Sequence, residues 1–127
     1  MIKPRLTAAE RTVMKIFWDA DEDLVLKDVL AAANDVYDRG WKPQTVTAYL
    51  SHLVIKGFIE MYKEGRNFYY TVIIDEATYR KEYVEKEVDF WNKSNRLQYV
   101  CDMFDAMDIT EDEYKEIQKK LKAMKKK

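Results

Sequence analysis

Cysteine is almost absent from this chain: Cys101 stands alone among 127 residues. A single cysteine cannot close a disulfide within the chain or build a cysteine metal cluster, and the setting reads as intracellular. On an apolar stripe, Cys101 reads as a small core hydrophobe. Glycine and proline are nearly as scarce, at three and two. There is no glycine-rich phosphate loop, and with one histidine and no reactive-cysteine setting little remains from which to assemble a catalytic centre. An enzyme is therefore not expected, nor any cofactor. The acidic run Asp19–Asp23 lacks the ligand spacing and glycine of a calcium loop and reads as a solvated turn. No apolar stretch approaches the ~20 residues that span a bilayer. The opening M-I-K-P-R-L-T lacks the apolar run of a signal peptide. Net charge is missing too, at −1, whereas many nucleic-acid-binding domains are strongly basic. Positive charge is instead local. Between Arg39 and Arg66 five basic residues face only Glu60 and Glu64, and Lys3, Arg5 and Arg11 make the N-terminus basic.

What is present is a chain able to fold, 47% hydrophobic and 35% charged, organised around the stretch Trp41–Ile73. Pro43 fits the first position of a helix, where no amide is needed. Val46, Leu50 and Leu53 then share one face at spacings of four and three. The opposite face carries Gln44, Thr45, Ala48, Ser51 and His52, which are short, polar and almost uncharged. Such a face suits close approach to another surface better than it suits solvent. Gly57 ends this helix of about 43–56. Two runs rich in β-branched and aromatic residues follow, Phe58–Lys63 and Asn67–Ile73, joined at Glu64-Gly65-Arg66 as a hairpin with a basic tip. Tyr69 and Tyr70 alternate across the second strand, so one packs inward and the other is partly exposed. Trp41 reads as a turn-packing residue.

Before this stretch, Thr7-Ala8-Ala9-Glu10 is a capping box with Leu6 as its staple, opening a helix to about Trp18 that buries Val13, Met14, Phe17 and Trp18. Leu24-Val25-Leu26 is long enough only to edge the hairpin. A second helix covers roughly Lys27–Tyr37, with Val29, Leu30, Ala33 and Tyr37 inward, and Arg39-Gly40-Trp41 turns into the third. Helix, short strand, helix, turn, helix, hairpin is the order of a winged helix-turn-helix. The fold class is mainly α with a small β-hairpin. Its winged-helix domain spans residues 1–74, and a helical region for dimerisation spans 75–127. In that region Asp75–Asn92 is heavily charged. Leu97, Val100, Cys101, Phe104 and Met107 form one apolar stripe. A second capping box, Thr110–Glu113, opens a helix that aligns Tyr114, Ile117, Leu121 and Met124 in a narrow seam. Narrow stripes make a poor core alone, so these residues, with Phe90 and Trp91, are expected to bury against a second copy. Lys125–Lys127 reads as a solvated tail.

The segments L-T-A-A-E-R-T-V-M-K-I-F-W, W-K-P-Q-T-V, L-V-I-K-G and Y-K-E-G-R-N-F-Y-Y-T together resemble the penicillinase-repressor family of bacterial transcriptional regulators, the BlaI/MecI/CopY type. The resemblance spans most of the chain. It implies a cytoplasmic homodimer that represses transcription by binding inverted-repeat operators in double-stranded DNA. Carried onto this sequence, Gln44, Thr45, Ala48 and His52 would read bases, and Arg66, beside Lys63, would serve the wing. Lys42 and Ser51 complete the expected DNA-contacting set. Three positions depart from the family pattern: Gln44 stands where Lys is common, Ala48 where Thr is frequent, and His52 where Arg is frequent. Gln can pair two-pronged with adenine and Ala can touch a thymine methyl, so the departures imply a different operator or weaker phosphate attraction. Copper-responsive members carry Cys-x-Cys pairs, which are missing here. In β-lactam-responsive members a sensor protease cuts an Asn–Phe bond; the corresponding pair here is Asp102-Met103, which argues against that partner. Thr45 fits either a base contact or a solvated first-turn residue, and His52 either a DNA contact or a cap. The competing reading of the whole chain is a winged-helix module that binds protein rather than a DNA sequence, which the near-neutral charge would suit.

Overall fold

The computed structural model describes residues 5–92 and 94–125. Lys3 of the basic N-terminus and Lys126 and Lys127 of the tail lie outside the described residues. The chain divides into two compact units at Tyr83–Val84.

The first unit is a winged helix. Helix α1 (Ala8–Ala20) starts at the capping box: the Thr7 hydroxyl accepts from the Glu10 amide at 3.2 Å, and the Glu10 carboxylate accepts from the Thr7 amide at 2.9 Å. Two orphan amides are thereby satisfied, an arrangement worth about 1 kcal/mol. The helix runs two residues beyond Trp18, because Asp21 can adopt the left-handed conformation (φ 53°) that closes it, as short polar residues do most readily after glycine. Strand β1 (Leu24–Val25) is followed at once by α2 (Leu26–Asp35), which ends before Tyr37. Helix α3 (Pro43–Ile55) has Pro43 in its first turn, and Gly57 at φ 83° leads out of it.

Strands β2 (Ile59–Glu64) and β3 (Asn67–Val72) pair antiparallel from Ile59↔Val72 to Glu64↔Asn67. That register leaves Gly65-Arg66 as a two-residue loop. Gly65 (φ 64°) takes its first central position, where a tight hairpin demands positive φ. β1 pairs with β3 through Leu24↔Tyr70 and Val25↔Tyr69, so the strand order is β1-β3-β2. The core gathers Val13, Met14 and Phe17 from α1, Val29 and Ala33 from α2, Val46, Leu50 and Leu53 from α3, and Phe58 and Ile59 from the hairpin. Leu6 is buried in the same core. Tyr70 packs inward, edge-on to Phe17 at 6.5 Å, while Tyr69 stacks on Tyr62 at 5.5 Å. Trp18, Leu30 and Tyr37, expected inside, are half-buried at the margin of this core. For Trp18 the reason is its indole N–H, which donates to the Ile74 carbonyl at 3.0 Å.

The first compact unit continues past residue 74. Ile74 is buried, and the Asp75 carboxylate accepts from the Thr78 amide at 2.8 Å, helping to open α4 (Glu76–Trp91). Tyr79 on α4 packs against Trp18 at 5.3 Å and Phe58 at 6.1 Å, and Tyr83 against Tyr79 at 6.1 Å. These aromatic contacts hold the start of α4 to the first unit.

The second unit contains the rest of α4, then α5 (Arg96–Met107) and α6 (Glu111–Lys125). The Thr110–Glu113 capping box forms, with the Thr110 amide donating to Glu113 at 3.0 Å and the Glu113 amide to Thr110 Oγ1 at 3.2 Å. Acids in the first turn of α6 and Lys122 and Lys125 in the last complement the helix dipole. Trp91 stacks on Tyr99 at 5.5 Å. No described residue from 84 onward is buried in the single chain. Cys101, expected as a small core residue, is exposed here.

Candidate nucleic-acid interface

Helix α3 sends its apolar side inward: Val46, Leu50 and Leu53 are fully buried. That roll of the helix leaves Gln44, Ala48 and Ser51 exposed. They lie at spacings of four and three and form one stripe. Thr47, three residues after Gln44, is exposed on the same stripe, and its hydroxyl donates back to the Pro43 carbonyl at 2.9 Å. The spacing alone could have found it. Thr45 is half-buried, its amide bonded to the Lys42 carbonyl at 3.0 Å. Lys42, at the N-cap, is exposed and has no ion pair among the described residues.

His52 sits off the centre of this face. Its Nδ1 lies 3.6 Å from Glu10 Oε2, an ion pair when the ring is protonated, and its side chain stays 58% exposed. Glu10 itself is only 2% exposed. It accepts from the Lys56 ammonium, which also donates to the Arg5 carbonyl at 2.9 Å. Burial works against the Glu10 charge. The hydrogen bonds from Lys56 and Thr7 and the Lys56 charge outweigh that and hold its carboxyl below the ordinary value of 4.5. One capping carboxylate thus ties the start of α1 to the end of α3. The capping signal in the sequence does not disclose this second role, since Lys56 is 46 positions away.

The turn before α3 is fixed as well. The Asn34 side chain holds Trp41 through both backbone groups, at 2.7 and 3.0 Å, and the Trp41 ring meets Tyr49 edge-on at 4.9 Å. Trp41 is therefore a packing residue. Arg39 donates to Thr12 Oγ1 at 3.1 Å and lies 6.0 Å from the Trp41 ring. Of the five basic residues between 39 and 66, Lys56 and Arg39 have partners in the fold, and Lys42, Lys63 and Arg66 remain without an acidic one among the described residues.

The hairpin segregates its charges by strand alternation. Lys63 pairs with Phe68, its ammonium 5.7 Å from that ring, on the face that Ile59 and Tyr70 also share. Glu60 and Glu64 lie on the opposite face with Tyr62, whose hydroxyl donates to Asp23 at 2.6 Å. That hydrogen bond pushes the Tyr62 phenol up to about 12. Arg66 is exposed at the tip.

Known proteins are similar to this chain in sequence and fold. The family model of the penicillinase repressor matches residues 6–123. The chain belongs to the penicillinase repressor family. The penicillinase repressor of Bacillus licheniformis is 34% identical over 79 residues, 60% of this chain and 57% of that protein. The chain thus aligns with little more than half of that relative's length. The methicillin resistance regulatory protein MecI of Mammaliicoccus sciuri is 24% identical over 116 residues, 88% of this chain and 89% of its own. Among solved structures, the DNA-binding domain of the repressor BlaI superposes with a TM-score of 0.52 at 32% identity, covering 61% of this chain and 90% of that domain. The B. licheniformis BlaI monomeric form, solved in complex with the blaP half-operator, superposes with a TM-score of 0.51 at the same identity and coverage. Among the described residues, no helix is long and apolar enough to cross a membrane.

Proposed function

We propose that this penicillinase-repressor family member is a dimeric transcriptional repressor, acting in the bacterial cytoplasm on inverted-repeat operator DNA. The observation that carries the proposal is the exposed, uncharged stripe of α3, followed in the chain by a hairpin that separates Lys63 from its acids. A helix in the major groove needs short donors and acceptors at its surface, and a wing needs cations toward phosphate. Gln44, Thr45, Ala48, Ser51 and His52 read bases, with Gln44 matched to adenine. Lys42, Lys63 and Arg66 contact the backbone. A half-operator complex solved for a relative at 32% identity supports DNA as the partner.

Lys42, Lys63 and Arg66 alone give modest phosphate affinity, so two chains reading two half-sites are needed. Phe90, Trp91, Leu97, Val100, Phe104, Met107, Tyr114, Ile117, Leu121 and Met124 supply the dimer contacts. All are exposed or half-buried in the single chain.

Fluorescence anisotropy on an inverted-repeat duplex tests the reading. Binding should weaken steeply with added salt. Gln44→Ala should relax preference at one base position by about 1–3 kcal/mol, while Arg66→Ala should weaken all duplexes alike. Absent or salt-insensitive binding by a folded dimer would favour a protein-interaction module, the use that the net charge of −1 suits.

A further inference from the structure

A cavity of about 540 Å³ opens in the first unit, where α1 and the start of α4 meet the turn before α3. Its volume falls in the range of small-molecule sites, about 300–1,000 Å³. The walls are aromatic: Trp18, Tyr79 and Tyr83 line it, with the Tyr79 ring in tilted contact with each of the other two. The rim is cationic. Arg11, Arg39 and Arg80 all line it, and none has an acidic partner within ion-pair distance among the described residues. Arg11 already lies over the Tyr83 ring at 5.0 Å. The one further cation, Lys15, is neutralised by Asp19 at 3.0 Å and by Glu76, which also lines the cavity, at 2.8 Å. None of the lining residues belongs to α3 or the hairpin.

We infer that this cavity binds a small aromatic carboxylate. A flat ring can lie against the Trp18, Tyr79 and Tyr83 rings that line the cavity, where burial of its face is favourable. Its carboxylate meets guanidinium groups whose planar forks fit two oxygens at once. An uncharged aromatic would use the same walls but forgo the rim, and an aliphatic acid would use the rim but leave the rings unstacked. The structure therefore assigns a ligand with both features. This site stands on the cavity alone and does not depend on DNA recognition.

The test uses the full chain and naphthalene-2-carboxylate as probe, with naphthalene-2-methanol as its neutral counterpart. Indole N–H resonances of Trp18, Trp41 and Trp91, assigned by single Trp→Phe variants, report where the probe sits. The carboxylate should shift Trp18 and leave Trp91 unmoved, and should bind about tenfold more tightly than the alcohol, the factor for one charge-assisted hydrogen bond. Arg80→Gln, an exposed change that leaves the core intact, should remove about that factor, and Arg39→Gln should do the same. The inference is overturned if the probe shifts only Trp91, if acid and alcohol bind equally, or if neither arginine variant alters affinity while the chain remains folded by thermal melting.

Discussion

The two units treat similar residues in opposite ways. In the first, Phe17, Phe58, Met14 and Leu50 lose essentially all contact with solvent. In the second, Phe104 stays 37% exposed, Leu121 56% and Leu97 75%. Both units have sound local signals: each opens a helix with a reciprocal Thr–Glu capping box. What differs is closure. Three helices packed on a three-stranded sheet surround a core from several sides, whereas none of the described residues of α5 and α6 is buried. Local helix propensity and core formation are thus separable, and the second unit has only the first of them within one chain.

The comparison breaks if the two sets of residues respond alike to truncation. Phe17→Ala should cost about 3–5 kcal/mol, as for other buried aromatics, at every protein concentration used in a thermal melt. Phe104→Ala should do something different in kind. Its cost should depend on chain concentration if, as proposed, a second copy covers the residue. Leu121→Asp sharpens the same point: sedimentation equilibrium should show monomers, while circular dichroism still reports a folded first unit. A concentration-independent loss for Phe104→Ala would mean that the second unit closes upon itself.

A smaller effect concerns the clamp between the cap and α3. Glu10→Gln removes the charge that holds Lys56 and faces His52, and should cost about 1–3 kcal/mol, since Lys56 can partly regain water. Its pH dependence has a definite sign. The folded carboxyl ionises below its ordinary value of 4.5, so its contribution is complete above that value and is lost as pH falls through the lower, folded one. Denaturant midpoints should therefore drop below about pH 4.5 in the parent chain, and Glu10→Gln should flatten that part of the profile. The smallest effect belongs to the turn. Gly65→Ala has open space for the added methyl but must hold φ 64°, and should cost about 1–2 kcal/mol in the same denaturation assay.

Much of this architecture is legible in the residues because its signals are local. The Thr7–Glu10 and Thr110–Glu113 boxes, Pro43 at a helix start, Gly65 in a tight loop, and a run too short to be more than an edge strand each need only a few neighbours to be read. The spacing of Val46, Leu50 and Leu53 likewise fixes which face of α3 is outward. What escapes is decided at a distance. Nothing near Glu10 announces that Lys56 and His52 will converge on it, or that Arg39 will be drawn to Thr12. The reach of the first compact unit to Tyr83 goes with Tyr79 meeting Trp18 and Phe58, a contact between three remote segments. Cys101 lies on an apolar stripe as its spacing suggests, but spacing cannot say whether the cover for that stripe comes from the same chain.

The most direct test of the claim that one unit reads and the other pairs is selection by the full chain from a pool of random duplex DNA at moderate salt. The expected product is an enriched inverted repeat whose half-sites lie at a fixed spacing, with that repeat lost in favour of single half-sites when Leu121→Asp is used. Failure to enrich any sequence, or enrichment of one unrepeated motif by the parent chain, would contradict it.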